Sequence, residues 1–163
     1  MAAMAIPIEP ASDASEPDRD SELRMVESCA GVLSVSEFQT DHTALRRILD
    51  DTPWRLTTAG SCHEAFQKLC RNYPLVVFTD SSLPDGTWKE VLEAIARFKR
   101  PYSFLVVTSR QADDRLWSEV LHLGGYDVLS KPLVDEDVRR VLDSVWKRRR
   151  PAALRARVLG EGS

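Results

Sequence analysis

Asp80 ends the apolar run Leu75-Val76-Val77-Phe78-Thr79 and leads into Leu83-Pro84-Asp85-Gly86, a tight-turn sequence. Strands seldom carry aspartate, so an acid delivered from a strand into a Pro/Gly turn is an unusual placement. Thr108 ends a second apolar run, Phe104-Leu105-Val106-Val107. Lys131, followed by Pro132, ends a third, Tyr126-Asp127-Val128-Leu129-Ser130. An acid, a hydroxyl and a cation therefore each stand at the C-terminal end of an apolar strand. In open α/β sheets those ends form the edge where ligands bind. The chemistry such a set supports is phosphoryl handling. A carboxylate can accept a phosphoryl group as an acyl phosphate, an ammonium stabilises charge on the transferring oxygens, and a hydroxyl can hydrogen-bond one of them. Glu37, just past the first apolar run, brings a second carboxylate to the same edge. With Asp80 it would suit Mg²⁺, which takes one or two carboxylates and keeps several waters.

These residues need elements to position them. Residues 31–36 are β-rich and read as a first strand. Thr40 or Asp41 then caps a helix with Ala44, Leu45, Ile48 and Leu49 on one face, stopped by Pro53. Residues 54–58 alternate as a second strand. Ser61 and Glu64 form a capping box for a helix bearing Ala65, Phe66 and Leu69, which ends before Pro74. The third strand reaches Asp80. Thr87 opens a helix with Val91, Leu92, Ile95 and Ala96 inward, ended by Pro101. The fourth strand reaches Thr108. Asp113 starts a helix with Leu116, Val120 and Leu123 inward, ended by Gly124-Gly125. The fifth strand reaches Lys131. A last helix over 134–149 turns Val138, Val141, Leu142 and Val145 inward, with Pro151 beyond it. Strands alternating with helices imply a parallel sheet, right-handed crossovers and helices on both faces.

Composition bounds the rest. The chain has 163 residues, 43% hydrophobic and 29% charged, which describes one globular domain with tails. Cys29, Cys62 and Cys70 have no metal-ligand spacing and fit a reducing compartment better than a disulfide framework. No secretory leader is apparent, and no apolar run approaches the roughly 20 residues of a membrane span. The net charge of -3 is unevenly placed: acids dominate residues 1–28, bases dominate 147–163. The expected organisation is an acidic disordered tail over 1–28, a domain over 29–150 and a basic tail over 151–163. His42, His63 and His122 fall on different helices and read as surface residues. Trp54, Trp88, Trp117 and Trp146 read as packing or interface residues.

At this point the chain resembles the receiver domain of two-component response regulators. The matching residues are Asp80 with Pro84 four later, Thr108-Ser109, Lys131-Pro132, and the approach Gly125-Tyr126-Asp127-Val128-Leu129. The resemblance implies a flavodoxin-like, CheY-like doubly wound (βα)5 fold with strand order 2-1-3-4-5. It implies Asp80 as phosphoacceptor; Mg²⁺ held by Glu37, Asp80 and the backbone carbonyl of Ser82; Thr108 and Lys131 as phosphoryl-binding and switch residues; and a cis bond to Pro132. It also implies a cytoplasmic protein that is not an enzyme in its own right. The expected partners are a histidine kinase or phosphotransfer protein and a downstream protein, with a homodimer as an option and neither membrane nor nucleic acid involved. The signalling face would carry Trp117, Arg139 and Trp146. Two departures stand out. The acidic pair after the first strand is Ser36-Glu37, which should weaken metal binding. Val128 replaces the switch aromatic, and Tyr126, two residues earlier, should point the same way along the strand. The leading expectation is a stand-alone receiver in a phosphorelay. The alternatives are a degenerate receiver working without phosphorylation, and a nucleotide or flavin binder. The turn Ser36-Glu37-Phe38-Gln39-Thr40 offers no glycine-rich phosphate cradle for the last of these.

Overall fold

Runs of Val, Leu and Phe that are apolar at every position, rather than at alternate ones, form strands buried on both faces, the pattern of a parallel sheet. The computed structural model describes residues 30–97 and 103–162, with side chains as far as 148. Its main sheet is parallel throughout and joins β1 (Gly31–Val35), β2 (Arg55–Ala59), β3 (Val76–Asp80), β6 (Phe104–Ser109) and β7 (Asp127–Ser130) in the order β2-β1-β3-β6-β7. This is the expected flavodoxin-like order. A small antiparallel ribbon, β4 (Ser82–Leu83) with β5 (Gly86–Thr87), is additional and folds the Leu83-Pro84-Asp85-Gly86 turn back beside Asp80.

The helices are α1 (Gln39–Leu49), α2 (Cys62–Asn72), α3 (Trp88–Arg97), α4 (Asp114–Leu123) and α5 (Asp135–Gly162). Alternate strand residues feed two cores. Leu33, Val35, Val77, Leu105 and Val107 pack with α2, α3 and Val120 of α4. Val32, Val76, Phe78, Val106 and Leu129 pack with α1 and with Val138, Val141, Leu142 and Val145 of α5. Asp80 lies two residues beyond Phe78, so it projects to the α1/α5 side of the sheet. That is the side on which Lys131, just past β7, reaches it.

Several local expectations need correction. Helix α1 begins at Gln39 with Phe38 at its N-cap and no side-chain cap, so neither Thr40 nor Asp41 caps it. Its buried residues are His42, Leu45, Ile48 and Leu49. His42 is therefore core rather than surface. Leu123, expected inward, is 47% exposed; Val120 of α4 is fully buried and Leu116 packs against the same core partly buried. Ala96 is exposed, and Ala94 and Trp88 are buried in its place. Tyr126 precedes β7 and packs edge-on against Phe104 with the α1/α5 core, whereas Val128 packs with the other core. The two residues thus face opposite sides, because the strand alternation starts only at Asp127. Helix α5 continues past Pro151 to Gly162; proline removes one rung of the hydrogen-bond ladder without ending the helix. The expected acidic tail and Pro101 lie outside the described residues.

Two termini do follow their sequence signals. Ser61 accepts from the Glu64 N–H at 3.2 Å as the N-cap of α2, and Glu64 accepts from the Gly60 N–H at 2.8 Å. Gly124 ends α4 at φ 109°, a left-handed conformation that glycine adopts without strain.

Candidate functional site

The parallel register brings the chemistry-bearing residues to one edge. Asp80 and Thr108 are register partners on adjacent strands, and Lys131 follows the last pair of the β6–β7 ladder. The Lys131 N–H donates to the Ser109 carbonyl at 3.0 Å, which fixes where its side chain starts. Its ammonium donates to Asp80 Oδ2 at 2.8 Å. The other carboxylate oxygen of Asp80, Oδ1, accepts from the Ser81 N–H at 2.8 Å. Thr108 Oγ1 donates to the Thr79 carbonyl at 3.4 Å, so its hydroxyl lies beside the Asp80 strand. The Lys131–Pro132 peptide is cis.

One carboxylate at this site has only a helix-capping role in the sequence pattern. Asp41, in the first turn of α1, accepts from the Lys131 ammonium at 2.7 Å and from the Ser36 hydroxyl at 2.6 Å, both through Oδ2. Lys131 thus stands between two carboxylates. The three side chains are 7% (Lys131), 9% (Asp80) and 17% (Asp41) exposed, so the cluster is largely desolvated. The Phe38 ring, itself 48% exposed, lies with its centroid 5.4 Å from the Lys131 ammonium and covers it from the solvent side. Ser36 Oγ also accepts from the Phe38 N–H at 3.0 Å, tying the loop before α1 to the same group. The available signal was placement: the N-terminal turn of α1 begins at the C-terminal edge of β1, next to Asp80's strand.

Behind this cluster, His42 is held from both ring nitrogens. Nε2 donates to the Ser36 carbonyl at 2.9 Å, which leaves Nδ1 to accept from the Ser34 hydroxyl at 2.8 Å. Burial holds its pKa below the ordinary histidine value of 6.5, outweighing the hydrogen bond to Ser36. On the other side of Asp80, Asp85 accepts from the N–H groups of Cys62 and His63 at 2.8 and 3.0 Å. The β4–β5 turn is thereby pinned to the N-terminus of α2. Those bonds, the one from Cys62 first, hold the Asp85 carboxyl below its ordinary range. Burial pushes the Cys62 thiol up to about 12, so it is an inert core residue rather than a nucleophile.

The other expected site residues are placed as follows. Glu37 is exposed in the loop between β1 and α1, and Ser82 is exposed at the start of β4. Trp117 is 48% exposed on α4. Arg139 bonds to Asp51, Asp135 and the Ile48 carbonyl, and so ties α5 to the end of α1. Trp146 packs on the α1/α5 core with Trp54 edge-on, ring centroids 6.0 Å apart. Among the described residues no three His, Cys, Asp or Glu side chains are grouped to hold a metal. Asp80 with Glu37 meets only the minimum donor set for Mg²⁺, one or two carboxylates completed by water. Asp41 is committed to Lys131. Asp80 and Glu37 are the carboxylates that could hold such an ion.

Comparison with known proteins identifies the family to which the fold belongs. The profile of the response regulator receiver domain matches residues 32–143, and the chain belongs to that family. No curated protein matches it. Among solved structures it is similar to the signal receiver domain of a putative LuxO repressor protein from Vibrio parahaemolyticus, with 21% identity and a TM-score of 0.71 over 76% of this chain and 95% of that one. It is similar to the receiver domain of Francisella response regulator 1452, with 18% identity and a TM-score of 0.65 over 72% and 97%. It also resembles the chemotaxis protein CheY4 of Vibrio cholerae, with 20% identity and a TM-score of 0.65 over 71% and 97%. At these identities the structural likeness concerns the fold. The chain is a receiver domain of two-component signalling, a class that generally signals rather than catalyses and generally binds Mg²⁺ at its phosphorylation site. No helix among the described residues is long and apolar enough to cross a membrane.

Proposed function

We propose that Asp80 accepts a phosphoryl group from a histidine kinase or phosphotransfer protein, and that the domain signals by a change in what it binds. The observation that supports this is the 2.8 Å contact between the Lys131 ammonium and Asp80 Oδ2, at a sheet edge where Thr108 is in register with the acid. In the transfer, an oxygen of the Asp80 carboxylate forms a bond to phosphorus as the donor's P–N bond breaks. The electron pair of that bond leaves with the imidazole, which takes a proton from water. Lys131 keeps its ammonium at the carboxylate and meets the added charge on the phosphoryl oxygens. Thr108, turning from the Thr79 carbonyl, can donate to one of those oxygens. Mg²⁺ held by Asp80, Glu37 and the Ser82 carbonyl would supply further neutralisation of that charge. A cytoplasmic location goes with such a donor and with the free thiols of Cys62 and Cys70. The half-exposed Trp117 on α4 is the residue best suited to a partner surface, given how aromatics dominate binding energy, and either a downstream protein or a second copy of this chain would fit it.

Incubation with acetyl phosphate and Mg²⁺, read by intact mass, tests the proposal. One phosphoryl group should be added to the wild-type chain and none to Asp80→Asn. A persistent adduct in that variant would place the acceptor elsewhere. A second reading, a receiver that binds partners without phosphorylation, has one observation in its favour: Lys131 is already neutralised by two carboxylates. It predicts no adduct in wild type.

A further inference from the structure

The serine at the strand end and the aspartate on α1 form a matched pair. Ser36 is 2% exposed and its hydroxyl donates to Asp41 Oδ2 at 2.6 Å. A carboxylate at position 36 would face Asp41 at that distance as a like charge with no proton to give. The donor at 36 is what lets the carboxylate of 41 enter the site. An acid enters instead from the first turn of α1, and there it touches Lys131 at 2.7 Å.

Position changes consequence. A strand-end acid beside Glu37 would face a metal, whereas Asp41 competes with Asp80 for one ammonium. When a phosphoryl group arrives on Asp80, its oxygens need that ammonium, and Asp41 becomes an excess negative charge in a desolvated cluster. We propose that Asp41 is a positioning residue of the phosphoryl site that restrains its occupancy: it holds Lys131 in the free protein and must yield it on phosphorylation, which gives α1 a direct charge contact with the modified site. This rests on the reading of Asp80 as phosphoacceptor.

The test compares wild type, Asp41→Asn and Asp80→Asn over a range of acetyl phosphate concentrations with Mg²⁺, read by intact mass. Removing a like charge at this range should lower the concentration for half occupancy about tenfold, the low end of what a neighbouring charge does to an ionised group. The rate at saturating donor should change much less, a split that a general loosening of the fold would not produce. In ¹³C spectra of the wild-type chain, the Asp41 carboxyl carbon should shift on phosphorylation; this arm stands even where Asp41→Asn folds poorly. Phosphorylation of wild type with equal half-occupancy in Asp41→Asn, or with an unmoved Asp41 carboxyl, overturns this inference and leaves Asp80 as acceptor. Absence of phosphorylation in every chain overturns both.

Discussion

Replacing Lys131 with methionine removes the ammonium while keeping an unbranched stem of similar length. Two carboxylates, Asp80 at 9% and Asp41 at 17% side-chain exposure, are then left facing each other without a cation. Removing one partner from a buried ion pair costs about 3–5 kcal/mol. Here each acid keeps one neutral donor, the Ser81 N–H at 2.8 Å for Asp80 and the Ser36 hydroxyl at 2.6 Å for Asp41, and neither is fully dry. The low end, about 3 kcal/mol, is therefore expected. For a domain of this size that is a fall of about 10 °C in Tm. Urea unfolding followed by tryptophan fluorescence would give the value directly, as a lower midpoint with an unchanged slope. The double variant Lys131→Met/Asp41→Asn should recover more than about 1 kcal/mol, because one stranded charge is gone. A loss below about 0.5 kcal/mol, or simple additivity in the double variant, would show that the cluster is solvated and its short contacts energetically idle.

Three further outcomes follow from other parts of the fold. Because burial lowers the folded-state pKa of His42, the unfolded chain binds a proton that the native one refuses; stability should be complete above the ordinary value of 6.5 and decline as pH falls below it, and His42→Gln should flatten that part of the profile. Ser36→Asp should cost about 2 kcal/mol or more without metal and become Mg²⁺-dependent in stability, since the new carboxylate meets Asp41 where the hydroxyl donated at 2.6 Å; a thermal midpoint indifferent to Mg²⁺ would separate position 36 from the metal. Trp146→Ala should lose about 2–3 kcal/mol through its packing on Trp54, and Trp117→Ala under about 1 kcal/mol because its ring is 48% exposed; the reverse ranking would put Trp117 in the core.

The architecture was legible because its signals are local and periodic. Apolar strands ended by Asp80, Thr108 and Lys131, capping residues at Ser61 and Asp113, and the Gly124 stop all appear within a few residues of what they specify. The strand order followed from the alternation of elements together with the resemblance to receivers. What sequence reading missed depends on contacts across long separations. Asp41 meets Lys131 across 90 positions, and beyond its place in the turn after β1 no local feature distinguishes a site carboxylate from a helix-capping one. His42 looked polar and exposed, but the two acceptor and donor groups that make its burial affordable, Ser34 and the Ser36 carbonyl, belong to β1 and the residue after it. Arg139 meets Asp51 across a long separation as well as Asp135 within its own helix, the first a contact that the sequence does not show. The side that Tyr126 faces turns on whether the strand starts before or after it; β7 starts at Asp127.

The most direct test of the central account is to trap the modification where it forms. Borohydride reduces an acyl phosphate on aspartate to homoserine, and peptide mapping then locates the altered residue. After treatment with acetyl phosphate and Mg²⁺, the altered residue should be Asp80 alone, in the peptide that joins β3 to the turn at Pro84. An altered Asp41 or Glu37, or an unaltered chain at saturating donor, would contradict the assignment of this cluster as a phosphoryl site.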